Sequence, residues 1–378
     1  MTSDPADAAR DLAVAAPQPP TIYDVARTAG VSIASVSRVL NGQRNPRADT
    51  KERVLRAVAE LGFVPDGAAR ALSVRLKEVV GVVVRRPIWP DGSLFADEDE
   101  NLQFPDMINR GMEIVAQRHG FDLLIRSVDL NEPEAGRRAF ELARKSDGLI
   151  LHDRVLTAEQ LDRLSRQVPV VTLAGVPTPT TANVHGDNDS GMRALARHLI
   201  HDHGYRTLGY LAGHEGSPDS LARGQALADE ASAAGVTLLQ GEEWRGGYQA
   251  GGGAQAMERL IASGAPLPRA IVCANDQSAI GVLQSLAQHG IAVPEDVAVT
   301  GFDDMPVARH LRPRLTSVRL SIQGLGATAF ETLYSMIGRT AAADGGARGR
   351  DIALPTVLVR RESCGCPPAT DAAARLTD

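Results

Sequence analysis

Two pairs of polar residues stand at positions where an α/β protein binds ligands. Asn275 and Asp276 directly follow the apolar run RAIVCA, and Asp303 and Asp304 follow the run DVAVTGF. Ligands of open α/β sheets lie beyond the carboxyl ends of the strands, so these groups are candidate hydrogen-bonding partners of a small molecule. The alternative is that the side chains only cap the helices that begin after the strands.

Histidines and cysteines form a second group with metal-ligand chemistry. His198, His201 and His203 lie in the stretch HLIHDHG, and Cys364 and Cys366 form a Cys-x-Cys pair. Such a pair can hold a metal, but no further Cys or His is close to it in the sequence. We therefore predict a loose pair of thiols in the C-terminal tail, a solvated helix end at the histidines, and neither a metal nor a cofactor.

Patterns of catalytic sites are weak in this chain. The stretch 324–329 has the spacing of a dinucleotide-binding loop, but it does not open the first strand–helix turn, and we interpret it as a helix with small residues. The glycines of 250–254 lack the Lys-Ser/Thr of a phosphate-binding loop. We find no nucleophile elbow and no paired acid and base at one strand end. We expect no enzymatic activity, and an enzyme on the same α/β core is the alternative.

Alternating strands and helices position these residues from Glu78 onward. Continuous apolar runs predict strands at 79–84, 121–125, 147–151, 168–173, 207–213, 269–274 and 296–302. Amphipathic helices such as MRALARHLI and AIGVLQSLAQ lie between several of them. This pattern is typical of parallel sheets covered on both faces. About 290 residues of it suit two subdomains with a cleft between them.

The N-terminal region has a charge opposite to that of the rest of the chain. Residues 21–77 carry a net charge of +5, whereas the remainder of the 378 residues carries −11. A basic module joined to an acidic body is typical of a segment that contacts the phosphate backbone of nucleic acid. A solvated, charged helix face is the alternative. Within this region the stretch VSIASVSRVLNG, residues 31–42, contains one arginine and no acid.

Three short helices predict a helix-turn-helix domain in the basic region. Apolar or small residues recur at helical spacing in 22–29 and in 36–40, with Gly30 at the turn and Ser32 placed to cap the second helix. A third helix over 48–61, followed by Gly62, completes a small core. The second helix of this motif lies in the DNA major groove, where acids would meet phosphates. We expect Ile33, Ala34 and Arg38 to face base edges, and Ser32, Ser35, Ser37 and Asn41 to reach bases or phosphates.

The string TIYDVARTAGVSIASVSRVLNG, followed by TKERVLRAVAELGFVPDGAARAL, resembles the headpiece of the lactose-repressor (LacI/GalR) family of transcriptional regulators. The resemblance implies phosphate contacts from Tyr23, Ser32 and Asn41 and base contacts from Ile33, Ala34 and Arg38. It also implies that DGAARALS is a hinge helix capped by Asp66, with Leu72 inserted into the minor groove at the operator centre. Thr21 and Ala69 complete the expected DNA-contacting set.

The resemblance extends over the α/β region and implies a periplasmic-binding-protein-like core whose chain crosses between two lobes three times. It implies that Asn275 and Asp303 hydrogen-bond ligand hydroxyls and that Arg223 clamps the ligand. It also gives Trp244 the role of an aromatic platform, with core packing as the alternative. Carboxylates, an amide, an arginine and a flat ring suit a sugar or glycoside, and a purine is the main rival ligand.

Together these patterns predict an all-α helix-turn-helix headpiece with a hinge helix, followed by an α/β periplasmic-binding-protein-like core of two parallel-sheet subdomains. The predicted segments are a disordered extension (1–20), the DNA-binding domain (21–65), the hinge (66–77), the two-lobed core (78–365) and a disordered tail (366–378).

The expected partners follow from this architecture. They are palindromic double-stranded operator DNA, a small effector, and further copies of the chain in a homodimer or tetramer. The sequence has no apolar run long enough to span a membrane and no recognisable signal peptide, so we expect a cytoplasmic protein without a membrane partner. A secreted sugar-binding protein would share the core, but it would need an export signal and no helix-turn-helix.

Overall fold

The structure is a computed structural model that describes residues 20–40, 47–63, 76–85, 103–128, 135–337 and 346–368. The chain divides into two units, Met1–Lys77 and Glu78–Asp378. The predicted hinge helix, with Ala69 and Leu72, lies outside the described residues, and so does Asn41.

The N-terminal unit contains the three predicted helices, which are α1 (Ile22–Ala29), α2 (Ile33–Leu40) and α3 (Ala48–Leu61). Val25, Val36 and Val54, one from each helix, are fully buried at its centre. Two glycines end helices in the left-handed region, with φ of 62° at Gly30 and 60° at Gly62. A side chain is strained at such a φ, so glycine at these two turns fixes where α1 and α3 stop. The helix-turn-helix prediction is confirmed.

The larger unit contains twelve strands among its described residues. They are β1 (Val79–Arg85), β2 (Asp122–Val128), β3 (Gly148–His152), β4 (Val170–Leu173), β5 (Ala182–Gly186), β6 (Thr207–Leu211), β7 (Thr237–Leu239), β8 (Ala270–Cys273), β9 (Ala298–Asp303), β10 (Thr316–Leu320), β11 (Asp351–Leu354) and β12 (Thr356–Val359). Each of the seven predicted strands is present, with ends that differ by up to three residues.

Eight α-helices connect these strands in the described part of the chain. They are α4 (Gln103–His119), α5 (Ala135–Ala143), α6 (Ala158–Ser165), α7 (Asn188–Arg197), α8 (Pro218–Ala233), α9 (Ala250–Ala262), α10 (Asp276–Gln288) and α11 (Ile322–Met336). A π-helical segment, His198–Asp202, continues α7, and 3-10 turns occur at Pro306–Arg309 and Glu362–Cys364. None of the helices in these ranges has the length and apolarity required to cross a bilayer.

The strands form two six-stranded sheets, one in each lobe. The first has the order β11-β5-β4-β3-β1-β2, and the second has the order β12-β10-β9-β8-β6-β7. Among the described strand pairs, β10 and β12 are antiparallel and the others are parallel. The chain therefore changes lobe after β5, after β10 and after β11, which confirms the three expected crossings.

Burial on both faces explains the continuous apolar strands. In β1, Val82 and Val84 pack into the cluster under α4 and α11, whereas Val83 points to the opposite cluster with Leu142 and Leu149. A strand covered on both sides has no polar face, as is usual for parallel sheets. The parallel arrangement brings the carboxyl ends of neighbouring strands to one edge of each sheet, and the polar residues after β3, β6, β8 and β9 lie at those edges.

Candidate functional site

The exposed face of α2 carries the residues that the sequence assigns to DNA bases. Val36 and Val39 bury the opposite face of this helix, whereas Ser32, Ile33, Ala34 and Arg38 are exposed. Ile33 keeps 41% of its surface in solvent, although it is a large aliphatic side chain. Ser35 and Ser37 are half-buried beside this face.

Local hydrogen bonds hold both ends of this helix. The Ser35 amide donates to the Ser32 hydroxyl over 3.2 Å, so Ser32 caps α2 as predicted. Near the other end, the Arg38 Nε donates to the Ala34 carbonyl over 3.1 Å and lies along the helix. The exposed face therefore offers hydroxyls, aliphatic groups and one guanidinium, with no carboxylate on the helix.

The start of α1 carries two further residues of the DNA-contacting set. Tyr23 is 67% exposed, and Thr21 is exposed at the position before the helix. The amide and the hydroxyl of Thr21 both donate to Asp24 Oδ2, over 2.9 Å and 2.7 Å. These hydrogen bonds, together with the guanidinium of Arg27, lower the pKa of Asp24. The acid of this helix is thus used to fix the start of α1.

Arg223 is the buried cation at the cleft edge of the second lobe. Its side chain is 3% exposed, and its guanidinium lies over the Phe302 ring with 3.6 Å between the guanidinium carbon and the ring centroid. Its Nε donates to Asn188 Oδ1 over 2.8 Å, and its Nη1 donates to the Ala274 carbonyl over 2.5 Å. Two of its nitrogens are therefore committed to protein acceptors.

Asp303 faces the remaining nitrogen of Arg223 at the end of β9. Its Oδ1 lies 3.8 Å from Arg223 Nη2 and has no hydrogen-bond partner among the described residues, although Asp303 is only 5% exposed. Burial raises the pKa of Asp303 to about 7, against the opposing effect of Arg223. Its φ is 105°, a conformation that is strained for a residue with a side chain and that is frequent at functional sites. Asp303 thus presents a buried, unused acceptor.

Asn275 lies beside this pair and caps α10. Its Oδ1 accepts the Ser278 amide over 3.0 Å, and its Nδ2 donates to the Tyr248 carbonyl over 3.0 Å. The capping alternative of the sequence analysis is therefore present in the structure. A contact between Asn275 and a ligand remains a prediction.

The acids adjacent to the two candidates have structural partners. Asp276 is fully buried and accepts the Met305 amide at one oxygen and the Ser317 hydroxyl at the other, both over 2.6 Å. Asp304 accepts Arg319 Nε over 2.8 Å and lies 2.6 Å from a guanidinium nitrogen of Arg361. These two carboxylates connect β8, β9, β10 and the segment after β12. Asp303 and Asn275 therefore remain the ligand candidates among the four residues.

The structure favours core packing for Trp244, which is the alternative that the sequence analysis gave to an aromatic platform. Trp244 is 4% exposed and belongs to the apolar cluster beneath β6 and β8. Its ring is in such close contact with Gly209, in the middle of β6, that a Cβ there would lie 2.4 Å from the indole. The indole therefore lies in the core and away from the strand ends, because the glycine leaves a space that the large ring fills.

Tyr248 is the aromatic residue that the structure brings to the cleft, and the sequence analysis missed it. It has a φ of 69°, and its hydroxyl lies 2.9 Å from the Ser217 hydroxyl. Its ring contacts Gly213 and lies edge-on to His214, with 5.1 Å between the ring centroids. Trp244 and Tyr248 lie within the five residues WRGGY, so their spacing did not show which ring packs in the core and which lies at the cleft.

Cleft residues from both lobes were also missed. Asp153 and Arg154 directly follow β3, and His214 follows β6, so the strand-end rule that identified Asp303 could have found them. Arg154 Nη1 lies 2.7 Å from His214 Nδ1, and Asp153 Oδ2 lies 3.8 Å from His214 Nε2. These contacts join the two lobes across the cleft.

Burial shifts the protonation of these cross-lobe groups. It raises the pKa of Asp153 to about 6, although Arg85 at the end of β1 opposes the shift. Burial, followed by the charges of Arg85 and Arg154, lowers the pKa of His214 to about 4. His214 is therefore neutral at pH 7 and can accept a hydrogen bond from Arg154.

A second group of side chains corrects the sequence analysis at the C-terminus. Cys364 and Cys366 are not a loose thiol pair without partners, because the fold brings His198 and His203 against them, with the four ligand atoms within 4.8 Å of one another. His201, the third histidine of HLIHDHG, is exposed and outside this group. The prediction failed because it considered only neighbours along the chain, whereas these residues are about 160 positions apart.

Comparisons with known proteins agree with this arrangement in both units. Residues 21–66 match the profile of the bacterial regulatory proteins of the lacI family, and residues 196–364 match the periplasmic binding protein-like domain. The HTH-type transcriptional regulator GalS of Salmonella typhimurium is 34% identical over 82% of this chain and 88% of its own length. The HTH-type transcriptional repressor PurR of Haemophilus influenzae is 29% identical over 84% of this chain and 91% of its own.

Solved structures give the same result for the whole architecture. The lac repressor dimer bound to operator and the anti-inducer ONPF has a TM-score of 0.76 and 25% identity, over 92% of this chain and 99% of that one. The complex of the transcriptional regulator CelR with cellobiose has a TM-score of 0.63 and 30% identity, over 91% and 99%. The similarity thus extends along nearly the full length of these relatives. The chain belongs to the lacI family of bacterial transcriptional regulators.

Proposed function

We propose that the protein binds a palindromic operator as a homodimer and that a small polar ligand in the cleft between the lobes controls its affinity for DNA. The exposed, acid-free face of α2 is the observation that carries the DNA-binding part. Ile33 and Arg38 are both exposed on α2 and fit a major groove, where aliphatic groups contact thymine methyls and a guanidinium binds guanine.

The buried acceptor at Asp303 carries the ligand-binding part of the proposal. A carboxylate oxygen that is out of solvent and has no partner among the described residues is costly, and a ligand donor would remove that cost. Arg223 holds Asp303 in place and keeps the carboxylate charge partly balanced.

The composition of the cleft favours a sugar or glycoside over a purine. Asp153 and Asp303 supply carboxyl acceptors, while two nitrogens of Arg223 are bound to protein oxygens. A cleft rich in acceptors suits a ligand rich in hydroxyl donors, and Tyr248 can offer a ring face or edge to its C–H groups. The similarity to the CelR–cellobiose complex supports a sugar, whereas the similarity to PurR keeps a purine as the second candidate.

A DNA-binding titration tests the first part. Fluorescence anisotropy with DNA from upstream of the protein's own gene should show a sequence-specific complex at physiological salt. Arg38→Ala should weaken that complex by about 1–3 kcal/mol and weaken random DNA much less. Arg56→Ala, which removes an exposed guanidinium of α3 that pairs with Glu52, is the matched control. Equal losses on both DNAs would remove Arg38 from base recognition.

A thermal-shift panel tests the second part. Monosaccharides, disaccharides, glycosides and purine bases are added in turn to the full chain, because a ligand that binds only the native state raises its stability by RT ln(1 + [L]/Kd). We expect a sugar to raise the Tm, and Asp303→Ala to abolish that rise without changing operator affinity. A rise with a purine alone would replace the sugar proposal, and a rise unaffected by Asp303→Ala would move the site elsewhere.

The proposal also includes the coupling between the two functions. One helix-turn-helix contacts too few base pairs for a specific site, so two copies on half-sites about one helical turn apart are required. We infer that ligand in the cleft changes the relative position of the two lobes in each subunit, and with it the spacing of the paired hinges in the dimer. Arg154 and His214 join the lobes and are the contacts that such a movement would alter.

A further inference from the structure

Four side chains outside the cleft meet with the composition of a metal site. His198 ends the straight part of α7 and begins the π-helical segment, and His203 follows that segment. Cys364 ends the 3-10 turn after β12, and Cys366 lies two residues later. His198 and Cys364 are buried, while His203 and Cys366 are half-buried. We propose that these four residues bind one zinc ion through two sulfurs and two imidazole nitrogens.

Four of the six distances between the ligand atoms agree with tetrahedral zinc, and all six are within 4.8 Å. The His198 Nε2 lies 3.1 Å from His203 Nε2, 3.5 Å from Cys364 Sγ and 3.4 Å from Cys366 Sγ, and Cys366 Sγ lies 3.5 Å from His203 Nε2. Bonds of about 2.0–2.1 Å to nitrogen and about 2.3 Å to sulfur place two nitrogens about 3.3 Å apart, and a nitrogen and a sulfur about 3.5 Å apart, in a tetrahedron. The four measured separations match these values to within about 0.3 Å.

Hydrogen bonds alone do not account for this convergence. The Nδ1 of His198 is engaged by Asp202 Oδ2 over 2.7 Å, which leaves Nε2 with a single lone pair. Three further atoms, two of them sulfurs, surround that one lone pair. A cation at the common centre gives every one of these atoms a partner.

Neighbouring groups orient the ligands as they do in known zinc sites. The carboxylate of Asp202 fixes the tautomer of His198, in the arrangement of carboxylate, histidine and metal that is frequent around zinc. The Thr316 hydroxyl lies 3.1 Å from Cys364 Sγ and 2.8 Å from the Arg361 carbonyl, so it is placed to donate to the sulfur when Cys364 is a thiolate. The Tyr205 hydroxyl donates to the Cys364 carbonyl over 2.8 Å, and its ring stacks on His203 with 5.2 Å between centroids.

The backbone is also shaped for this site. The π-helical segment adds residues to the last turn of the helix, and such segments occur mostly at functional positions. Gly365, between the two cysteines, has a φ of 97°, which lets both sulfurs turn to the same side. A Cβ at Gly365 would lie 3.0 Å from the Tyr205 hydroxyl and 3.5 Å from the His203 ring. A side chain there would therefore be strained and would press on the ligand shell.

The chemistry of the site points to a structural role. Four protein ligands close a tetrahedral zinc site, which leaves no position for substrate or water. Two thiolates with two imidazoles select zinc over hard cations such as magnesium. Each cysteine that is protonated beforehand releases its proton when it binds. The ion would fasten the segment after β12, near the C-terminal end of the described chain, to the helix with which the chain enters the second lobe.

Metal analysis of the full-length protein tests the proposal. The protein is purified with reductant and without a histidine tag, passed through chelating resin, and measured by elemental analysis. We expect one zinc per chain in the wild type and in His201→Asn, which changes an exposed histidine in the same stretch. Cys366→Ser and His203→Asn each remove one ligand at a half-buried position and should contain much less than one equivalent. Zinc held equally by all four proteins would overturn the assignment.

Cobalt substitution and melting provide evidence that does not depend on the variants. After removal of zinc with a strong chelator, cobalt should give the intense visible bands of tetrahedral Co²⁺ and a thiolate charge-transfer band in the near ultraviolet. Zinc returned to the stripped wild type should raise its Tm by about 5 °C or more. A spectrum of octahedral cobalt, or an unchanged Tm on addition of zinc, would refute the site even if a ligand variant failed to fold.

Discussion

Replacing Asp303 with asparagine should stabilise the protein and remove its response to ligand. A raised pKa means that the folded protein holds the Asp303 proton more tightly than the unfolded chain does. The stability from this group is fully present below the ordinary pKa of 3.8 and is lost as the pH rises through about 7. At pH 8 the stability lost in this way is about 4 kcal/mol, because the pKa rises by about three units and each unit corresponds to about 1.36 kcal/mol.

An amide has nearly the shape of the protonated carboxyl group and does not ionise. Asp303→Asn should therefore match the wild type at pH 4 and exceed its free energy of unfolding by up to about 4 kcal/mol at pH 8. Ligand binding should weaken in the same variant. Hydrogen bonds to a charged group contribute about 1.5–3 kcal/mol, so the Kd should increase by a factor of about 10 to 150.

Urea unfolding from pH 4 to pH 8, with and without ligand, measures both effects on the same samples. The matched control is Glu258→Gln, which neutralises an exposed acid on α9 of the same lobe. Its difference from the wild type should not change with pH, and its response to ligand should remain. If Asp303→Asn is less stable than the wild type at pH 8, the carboxylate is needed by the fold, and our argument that it is kept for the ligand is wrong.

Three further substitutions separate the other assignments. Asn275→Ala should cost about 1 kcal/mol of stability through loss of the α10 cap, whereas Asn275→Ser keeps a capping oxygen. If both variants lose the ligand response, Asn275 contacts the ligand. If Asn275→Ser retains the response, the role of Asn275 is limited to capping the helix. Trp244→Ala should destabilise the core by about 3–5 kcal/mol, and the residual folded protein should still respond to ligand, which a platform would not allow. Leu72→Ala should reduce operator affinity and DNA bending together, while the ligand Kd of the DNA-free protein stays the same. Anisotropy and a gel-based bending assay measure these effects, and normal bending would mean that residues 66–77 are only a linker.

The sequence predicted those parts of the fold that depend on local patterns. The bounds of α3, the turn at Gly30 and the cap at Ser32 follow from residue types within one or two helical turns. The strands that are continuous apolar runs were found. Five strands, β5, β7, β10, β11 and β12, were not predicted, since each is three to five residues long and contains a polar residue, and a pattern of that length is not distinctive.

Contacts between distant segments could not be obtained in this way. The two histidines and two cysteines meet only because the chain enters the second lobe at α7 and returns to it at β12. Cys-x-Cys taken alone lacks two ligands, and HLIHDHG taken alone lacks the sulfurs. The two alternatives for Trp244 stayed open for the same reason, because in both cases the partner that decides the role is remote in sequence.

The four polar residues at the ends of β8 and β9 show how environment separates roles that sequence leaves equal. Asp276 and Asp304 are more buried than most carboxylates of the described chain, yet each receives donors from its surroundings. Asp303 stands next to Asp304 in the chain, and its Oδ1 receives none. Burial without compensation raises the free energy of the unliganded protein, and a conformation with a φ of 105° adds to it. Asp304 also has a positive φ, of 52°, but its carboxylate is paired with Arg319 and Arg361. The carboxylate of Asp303 has only the 3.8 Å approach of Arg223 at the cleft edge, as expected where binding, and not folding, supplies the missing partner.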